Sequence, residues 1–218
     1  MITDSRFERK FVIGKYENDF FERILRVNSF HKPYNDRIVN SIYIDTLDYD
    51  FLRNNIDGIS SRKKIRIRWY DDNFKNFSLE EKNKQNFLVS KKIKKLSFPF
   101  EKSLFKKNLI EYLKIEKNKN FKDFNYKFVL KTNYSRSYWL SNDKKIRATI
   151  DTNLNSSPFE ELNKSVYLPD TILEFKYSPQ NEKYFRNFFS KIGSGLRAVK
   201  YSKYVKSFFE LNNSGLIK

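Results

Sequence analysis

Cysteine is absent from the 218 residues, and histidine occurs once, at His31. The first absence excludes disulfides, thiolate nucleophiles and zinc-cysteine centres. The second excludes a histidine cluster as metal site or proton relay, and a lone His31 reads as a loop or helix-end residue. Glycine and proline number five each and are scattered. No Gly/Ser or Pro-rich linker interrupts the chain, and neither a Gly-x-x-x-x-Gly-Lys loop nor a Gly-x-Gly-x-x-Gly fingerprint is present. No uncharged run approaches the roughly 18 residues of a membrane helix, and Met1-Ile2-Thr3-Asp4-Ser5-Arg6 has no apolar signal core. The expectation is one cytoplasmic domain over residues 1–218, with no transmembrane segment.

Charge and aromatics are abundant. Lysine plus arginine total 44 against 26 acidic residues, a formal net charge of +18. Such a field attracts polyanions, whether nucleic acid, anionic membrane or phosphate chains. No RNP, helix-turn-helix or zinc-finger pattern accompanies it, so no specific nucleic-acid partner is expected. Lys91, Lys92, Lys94 and Lys95 read as a solvated face. With 22 Phe and 14 Tyr the chain can build a sizeable core despite a mean hydropathy of -0.74.

Apolar spacings of three and four predict helices over Asn18 to Val27, Asp48 to Asn55, Lys102 to Lys117 and Glu182 to Ile192. Elsewhere the period is two, and parity sorts the side chains. Arg62, Lys64, Arg66 and Arg68 share one face, opposite Ile65, Ile67 and Trp69. Glu8 with Lys10, Glu80 with Lys82, Glu174 with Lys176, Tyr134 with Arg136 and Tyr138, and the triplet Arg147, Thr149 and Asp151 repeat the separation. A single strand of this kind is an ordinary wet face. Cations at every second position repel one another unless an anion of comparable charge density lies among them. If helices cover the apolar faces, the charged faces turn toward a shared interior. The predicted fold is α+β: a closed antiparallel β-barrel with helices packed on the outside. Arg66, Arg68, Arg136, Arg147 and Lys176 should then share one cavity, with Ile65, Ile67, Ala148 and Phe175 under helices.

Glu8-x-Lys10, Tyr43-Ile44-Asp45-Thr46, Lys64-x-Arg66-x-Arg68-Trp69, Glu80-x-Lys82, Tyr134-x-Arg136, Arg147-x-Thr149-x-Asp151, Glu174-x-Lys176 and Lys200-Tyr201-Ser202-Lys203-Tyr204 occur in that order. The set resembles the triphosphate tunnel metalloenzymes (CYTH-like), and most closely the polyphosphate polymerase domain of the vacuolar transporter chaperone (VTC), over about residues 6 to 208. Each pair is weak by itself; the ordered combination is specific. Arg6 stands where the hydrolytic branch has the first Glu of Glu-x-Glu-x-Lys, which disfavours a two-metal hydrolase.

The resemblance implies transfer of the terminal phosphate of ATP to a growing inorganic polyphosphate, with ADP released. The catalytic cations would be Lys10, Arg66, Arg68, Lys82, Arg136, Arg147, Lys176, Lys200 and Lys203. Lys64, Tyr134, Ser202 and Tyr204 would bind substrate, the two tyrosines by orienting cations or else by packing. Glu174 is the first choice as ligand of Mn²⁺ or Mg²⁺. Glu8 and Glu80 are either further ligands or struts for neighbouring cations. Asp151 would cap a strand end, and Asp45 would fix a turn. The alternatives are a metal-dependent tripolyphosphate or nucleoside-triphosphate hydrolase and a non-catalytic polyphosphate-binding protein. A membrane-protein partner and the oligomeric state stay open.

Overall fold

The computed structural model describes residues 6–73, 76–85, 88–96, 107–108, 110–111, 126–192 and 195–217. Ten strands form one antiparallel sheet: β1 (Phe7–Ile13), β2 (Phe30–His31), β3 (Arg37–Thr46), β4 (Ser61–Tyr70), β5 (Phe77–Gln85), β6 (Leu88–Leu96), β7 (Tyr126–Ser141), β8 (Ile146–Pro158), β9 (Val166–Leu168) and β10 (Thr171–Tyr177). The main path runs β1-β10-β8-β7-β3-β4-β5-β6, with β2 paired to β7 and β9 to β8. The helices described over their full length are α1 (Asn18–Val27), α2 (Asp50–Ile56), α3 (Glu182–Ile192) and α4 (Lys203–Asn213).

The apolar parity of each strand packs under helices, as the alternation requires. Phe11, Leu173, Phe175, Ala148 and Ile150 form one cluster with Phe21 and Leu25 of α1 and Phe185, Phe188 and Ile192 of α3. Ile42, Ile44, Ile65, Ile67 and Trp69 form another with Phe51 of α2. Each such side chain removed from water contributes about 1.5–3 kcal/mol. These two clusters hold the sheet's convex side, which leaves the charged parity on the concave side.

The sheet curls into an open half-barrel rather than the closed barrel expected from alternation. Among the described residues no ladder joins the edge strands β1 and β6. The reason lies at both edges. Beside β1, Val199 of the C-terminal segment donates its N–H to the carbonyl of Lys10 at 2.8 Å, occupying a position a closing strand would use. At β6, exposed Lys92, Lys94 and Lys95 make a cationic edge, which discourages strand addition. Side chains span the gap, where Lys82 of β5, the strand beside the edge strand β6, donates to Glu8 of β1 at 3.0 Å.

Helices α1 and α3 have the predicted bounds. The helix expected over Asp48 to Asn55 begins later, because Asp45 accepts the N–H of Phe51 and of Leu52, each at 2.9 Å, and so sets the first turn of α2. Most of Lys102 to Lys117 lies outside the described residues; 107, 108, 110 and 111 are helical. Helix α4 is not among the helices read from apolar spacing, and it does not pack on the outside. Its N-cap Ser202 accepts from Val205 N–H at 3.5 Å and from Lys64 Nζ at 2.9 Å, and Lys203 reaches Asp151, so α4 starts on the concave face. His31 lies in the short strand β2 rather than in a loop or at a helix end, with Nδ1 3.0 Å from Asn142 Oδ1.

Candidate functional site

Cross-strand register assembles the concave face. On one wall Glu8 of β1 stands opposite Lys176 of β10, which stands opposite Arg147 of β8. The next row is Lys10, Glu174, Thr149 and Tyr138, and the next pairs Asp151 with Arg136. On the other wall Lys64 faces Lys82, and Arg66 faces Glu80. Lys10 also donates to the Tyr201 carbonyl at 3.0 Å, and Lys64 to Ser202, so the segment before α4 bridges the two walls. Arg147 is exposed, and so is Lys200 at the rim beside Lys10.

Four carboxylates are embedded among these cations, and their surroundings differ. Asp151, 1% exposed, accepts from Arg136 Nε and Nη2 at 2.6 and 2.7 Å and from Lys203 Nζ at 2.6 Å. It is therefore the anchor of two tunnel cations, not the strand-end cap expected from sequence. Glu80 is similarly occupied: Arg66 holds one oxygen at 2.6 Å, and Lys91 donates to the other at 3.0 Å. Glu80 acts as a strut for Arg66 and Lys91, one of the two roles expected for it. Lys91, read from sequence as solvated, belongs to the site through that contact. Glu8 takes Lys82 on both oxygens.

Glu174 is different. It is 6% exposed, and its one ion pair among the described residues, with Lys176, spans 3.5 Å. No hydrogen bond reaches its carboxylate among those residues. Burial opposes its charge, but Lys176, Lys10 and Arg136 outweigh burial and hold it ionised, near about 2. Directly across the ladder stands Thr149, whose buried Oγ1 has no hydrogen-bond partner among the described residues. Glu174, the Thr149 hydroxyl and neighbouring Glu8 are hard oxygen donors of the kind Mg²⁺ and Mn²⁺ take. No group of three or more His, Cys, Asp or Glu side chains gathers among the described residues.

Tyr134 is 2% exposed; its ring lies 4.5 Å from Lys203 Nζ and its hydroxyl 3.4 Å from Arg68, so it positions cations. Tyr204 does not belong to the phosphate-facing set. Its hydroxyl donates to Asp45 at 2.7 Å and its ring stacks on Tyr43, so it fastens α4 to α2 and β3. Asp45, expected at a turn, is the buried acceptor in that knot. Lys64 is strongly perturbed: burial, then Lys10, Lys82 and Arg66, push it down to about 7. The rim residues Arg37, Tyr70 and Tyr138 are absent from the site expected from sequence. Arg37 and Tyr70 continue the parity of Tyr43 and of Arg68, and that alternation is the signal that points to them.

A half-barrel with a cation-lined concave face defines the triphosphate tunnel class. Solved structures of that shape include a putative adenylate cyclase from Vibrio parahaemolyticus (TM-score 0.56, 11% identity, 94% of this chain and 98% of that one). The PH1819 protein from Pyrococcus horikoshii OT3 aligns with TM-score 0.53 at 15% identity, covering 96% and 99%. A putative adenylyl cyclase from Hippeastrum, described as having a dominant triphosphatase activity, aligns with TM-score 0.50 at 13% identity, covering 97% and 96%. At these identities the likeness is one of fold. The VTC domain profile matches residues 5–211, and the chain belongs to the VTC domain family. No curated protein matches it.

Proposed function

We propose that this protein is a metal-dependent polyphosphate polymerase that transfers the terminal phosphoryl group of ATP to the end of an inorganic polyphosphate chain lying in the trough. An oxygen of the acceptor's terminal phosphate bonds to the γ-phosphorus as the bond from that phosphorus to the β,γ-bridging oxygen breaks. The electron pair leaves on ADP. Phosphoryl transfer of this kind rests on positioning and charge neutralisation. Arg66, Arg68 and Arg136 offer guanidinium forks, and Lys10, Lys82, Arg147, Lys176 and Lys203 add charge along the chain.

The observation that carries the choice of acceptor is the state of the carboxylates. A phosphate acceptor arrives already anionic and needs no proton removed, whereas attacking water needs a base. Asp151 and Glu80 have both oxygens bound to cations, and Glu80 and Glu174 are held near about 2, too low for a general base at neutral pH. Burial first, and then the facing cations, hold Lys64 low, and a polyanion in the trough favours its charged form. Glu174, Thr149 and Glu8 would hold a divalent ion, whose chemistry is to offset charge on the phosphates.

Purified protein incubated with ATP and Mn²⁺ or Mg²⁺ should yield ADP together with long polymer, resolved on gels and by phosphorus NMR. ADP with only orthophosphate would identify a hydrolase, in keeping with the triphosphatase activity of the Hippeastrum neighbour. Polyphosphate binding without turnover would identify a binding protein.

A further inference from the structure

One cluster of side chains lies outside the phosphate-facing set yet adjoins it. Arg37 opens β3 directly opposite Arg136 on β7, one strand spacing, or about 5 Å, from a tunnel cation. Its guanidinium lies between two rings, 5.5 Å from the Tyr34 centroid and 5.8 Å from that of Tyr70. Tyr34 in turn meets Tyr138 edge-to-face at 5.9 Å and 89°. Tyr138 sits two residues along β7 from Arg136, and the charges of Arg136 and Arg37 both reach its hydroxyl. Three tyrosines and an arginine thus form a small π-surface where the trough meets solvent.

Tyr34 is 58% exposed, an unusual setting for a ring in a five-residue connection. That connection is nevertheless pinned. Lys32 binds Asp36 at 3.1 Å and Glu22 of α1 at 3.3 Å, and its ammonium lies 5.1 Å from the Trp139 ring. The other side is fixed by Asp71, which accepts the Ile38 N–H at 2.8 Å and holds the end of β4 beside the start of β3. An exposed ring held in place on both sides is preorganised for a flat ligand rather than for the core.

Resting on the assignment of ATP as phosphoryl donor, we infer that Tyr34, Arg37, Tyr70 and Tyr138 form a nucleobase platform. The triphosphate lies against Arg136 and Arg68, and the base stacks on Tyr34 and Arg37 at the rim. Every base presents a π-face, so the platform retains nucleotides with little choice among bases. It also distinguishes the donor, which carries a base, from the polyphosphate acceptor, which does not.

The test compares binding of ATP, GTP and inorganic tripolyphosphate to the wild type, Tyr34→Ala and Tyr34→Trp, with the melting temperature of each. Tyr34→Ala should weaken ATP and GTP by about 5- to 150-fold, the range of one lost base stack. Tripolyphosphate should stay within about twofold, and Tyr34→Trp should keep nucleotide affinity. Unchanged ATP affinity in Tyr34→Ala, or equal weakening of ATP and tripolyphosphate, overturns the platform and leaves the polymerase reading standing. Wild type binding neither ATP nor tripolyphosphate overturns both.

Discussion

Replacing Asp151 by Asn should cripple the empty protein and spare the loaded one. Asn keeps the shape of the side chain and removes its charge, leaving Arg136 and Lys203 to face one another. Those cations are 11% and 12% exposed, and each lies 2.6 Å from an Asp151 oxygen. Breaking a buried pair by removing one partner costs about 3–5 kcal/mol. For a chain of this size each kcal/mol moves Tm by about 2–4 °C, so the loss should be about 6–20 °C. Tripolyphosphate at one hundred times its Kd returns about 2.7 kcal/mol to any state that binds it. Because the freed cations bind anion more tightly, the variant should gain more from a fixed concentration than the wild type does. The pH dependence follows from the direction of the shift. Burial opposes the charged form of Asp151, but Arg136 and Lys203 outweigh it and hold its pKa below the ordinary 3.8. The stability it contributes is therefore fully present above that value and is lost as pH falls through the folded pKa. The gap in Tm between wild type and Asp151→Asn should stay level from pH 8 to 5 and close only in stronger acid. A loss under about 1 kcal/mol, or an equal gain from tripolyphosphate in both proteins, would refute the idea that Asp151 stores these cations for phosphate.

Three further outcomes are expected. Glu174→Gln should lower metal-dependent transfer by orders of magnitude, while polyphosphate affinity in chelator holds or rises; wild-type dependence on Mn²⁺ concentration would move the metal elsewhere. Since Lys64 is pushed down to about 7, a bound phosphate chain recharges it, so tripolyphosphate affinity should fall between pH 7 and 9, by up to about tenfold per pH unit for one linked proton. Lys64→Arg should flatten that profile, and titration calorimetry in two buffers should register the missing proton uptake. Tyr204→Phe should cost about 1–3 kcal/mol by stripping one donor from buried Asp45, with tripolyphosphate affinity unchanged; a weakened affinity would return Tyr204 to the phosphate-binding set.

Much of the fold was legible because a strand has a period of two. Counting alternate positions in Arg62–Tyr70 separates Ile65, Ile67 and Trp69 from Lys64, Arg66 and Arg68 with no knowledge of the neighbours, and the clusters under the helices follow that division. Repetition of the pattern in strands far apart along the chain implied a shared cationic interior, and absent cysteine and scarce histidine directed attention to phosphate and hard cations. Helix α4 was hidden because Lys200-Tyr201-Ser202-Lys203-Tyr204 reads as a motif; its N-cap Ser202 takes the Val205 N–H locally, and the Lys64 contact that ties it to β4 comes from far away in sequence. Closure was likewise undecidable locally, since it turns on whether β6 or the segment at Val199 occupies the free edge of β1.

The carboxylates illustrate the division most clearly. Glu80-x-Lys82 and Glu174-x-Lys176 are the same pattern on the same kind of strand, and no local rule separates them. Register does: Glu80 is placed opposite Arg66, which consumes an oxygen, whereas Glu174 is placed between Lys10 and Thr149, with its carboxylate left without a hydrogen bond among the described residues. Composition and alternation settle which side chains face the trough. Which carboxylate is spent on an arginine and which stays open to a metal depends on backbone hydrogen bonds between segments remote in sequence, and those exist only once the sheet has formed.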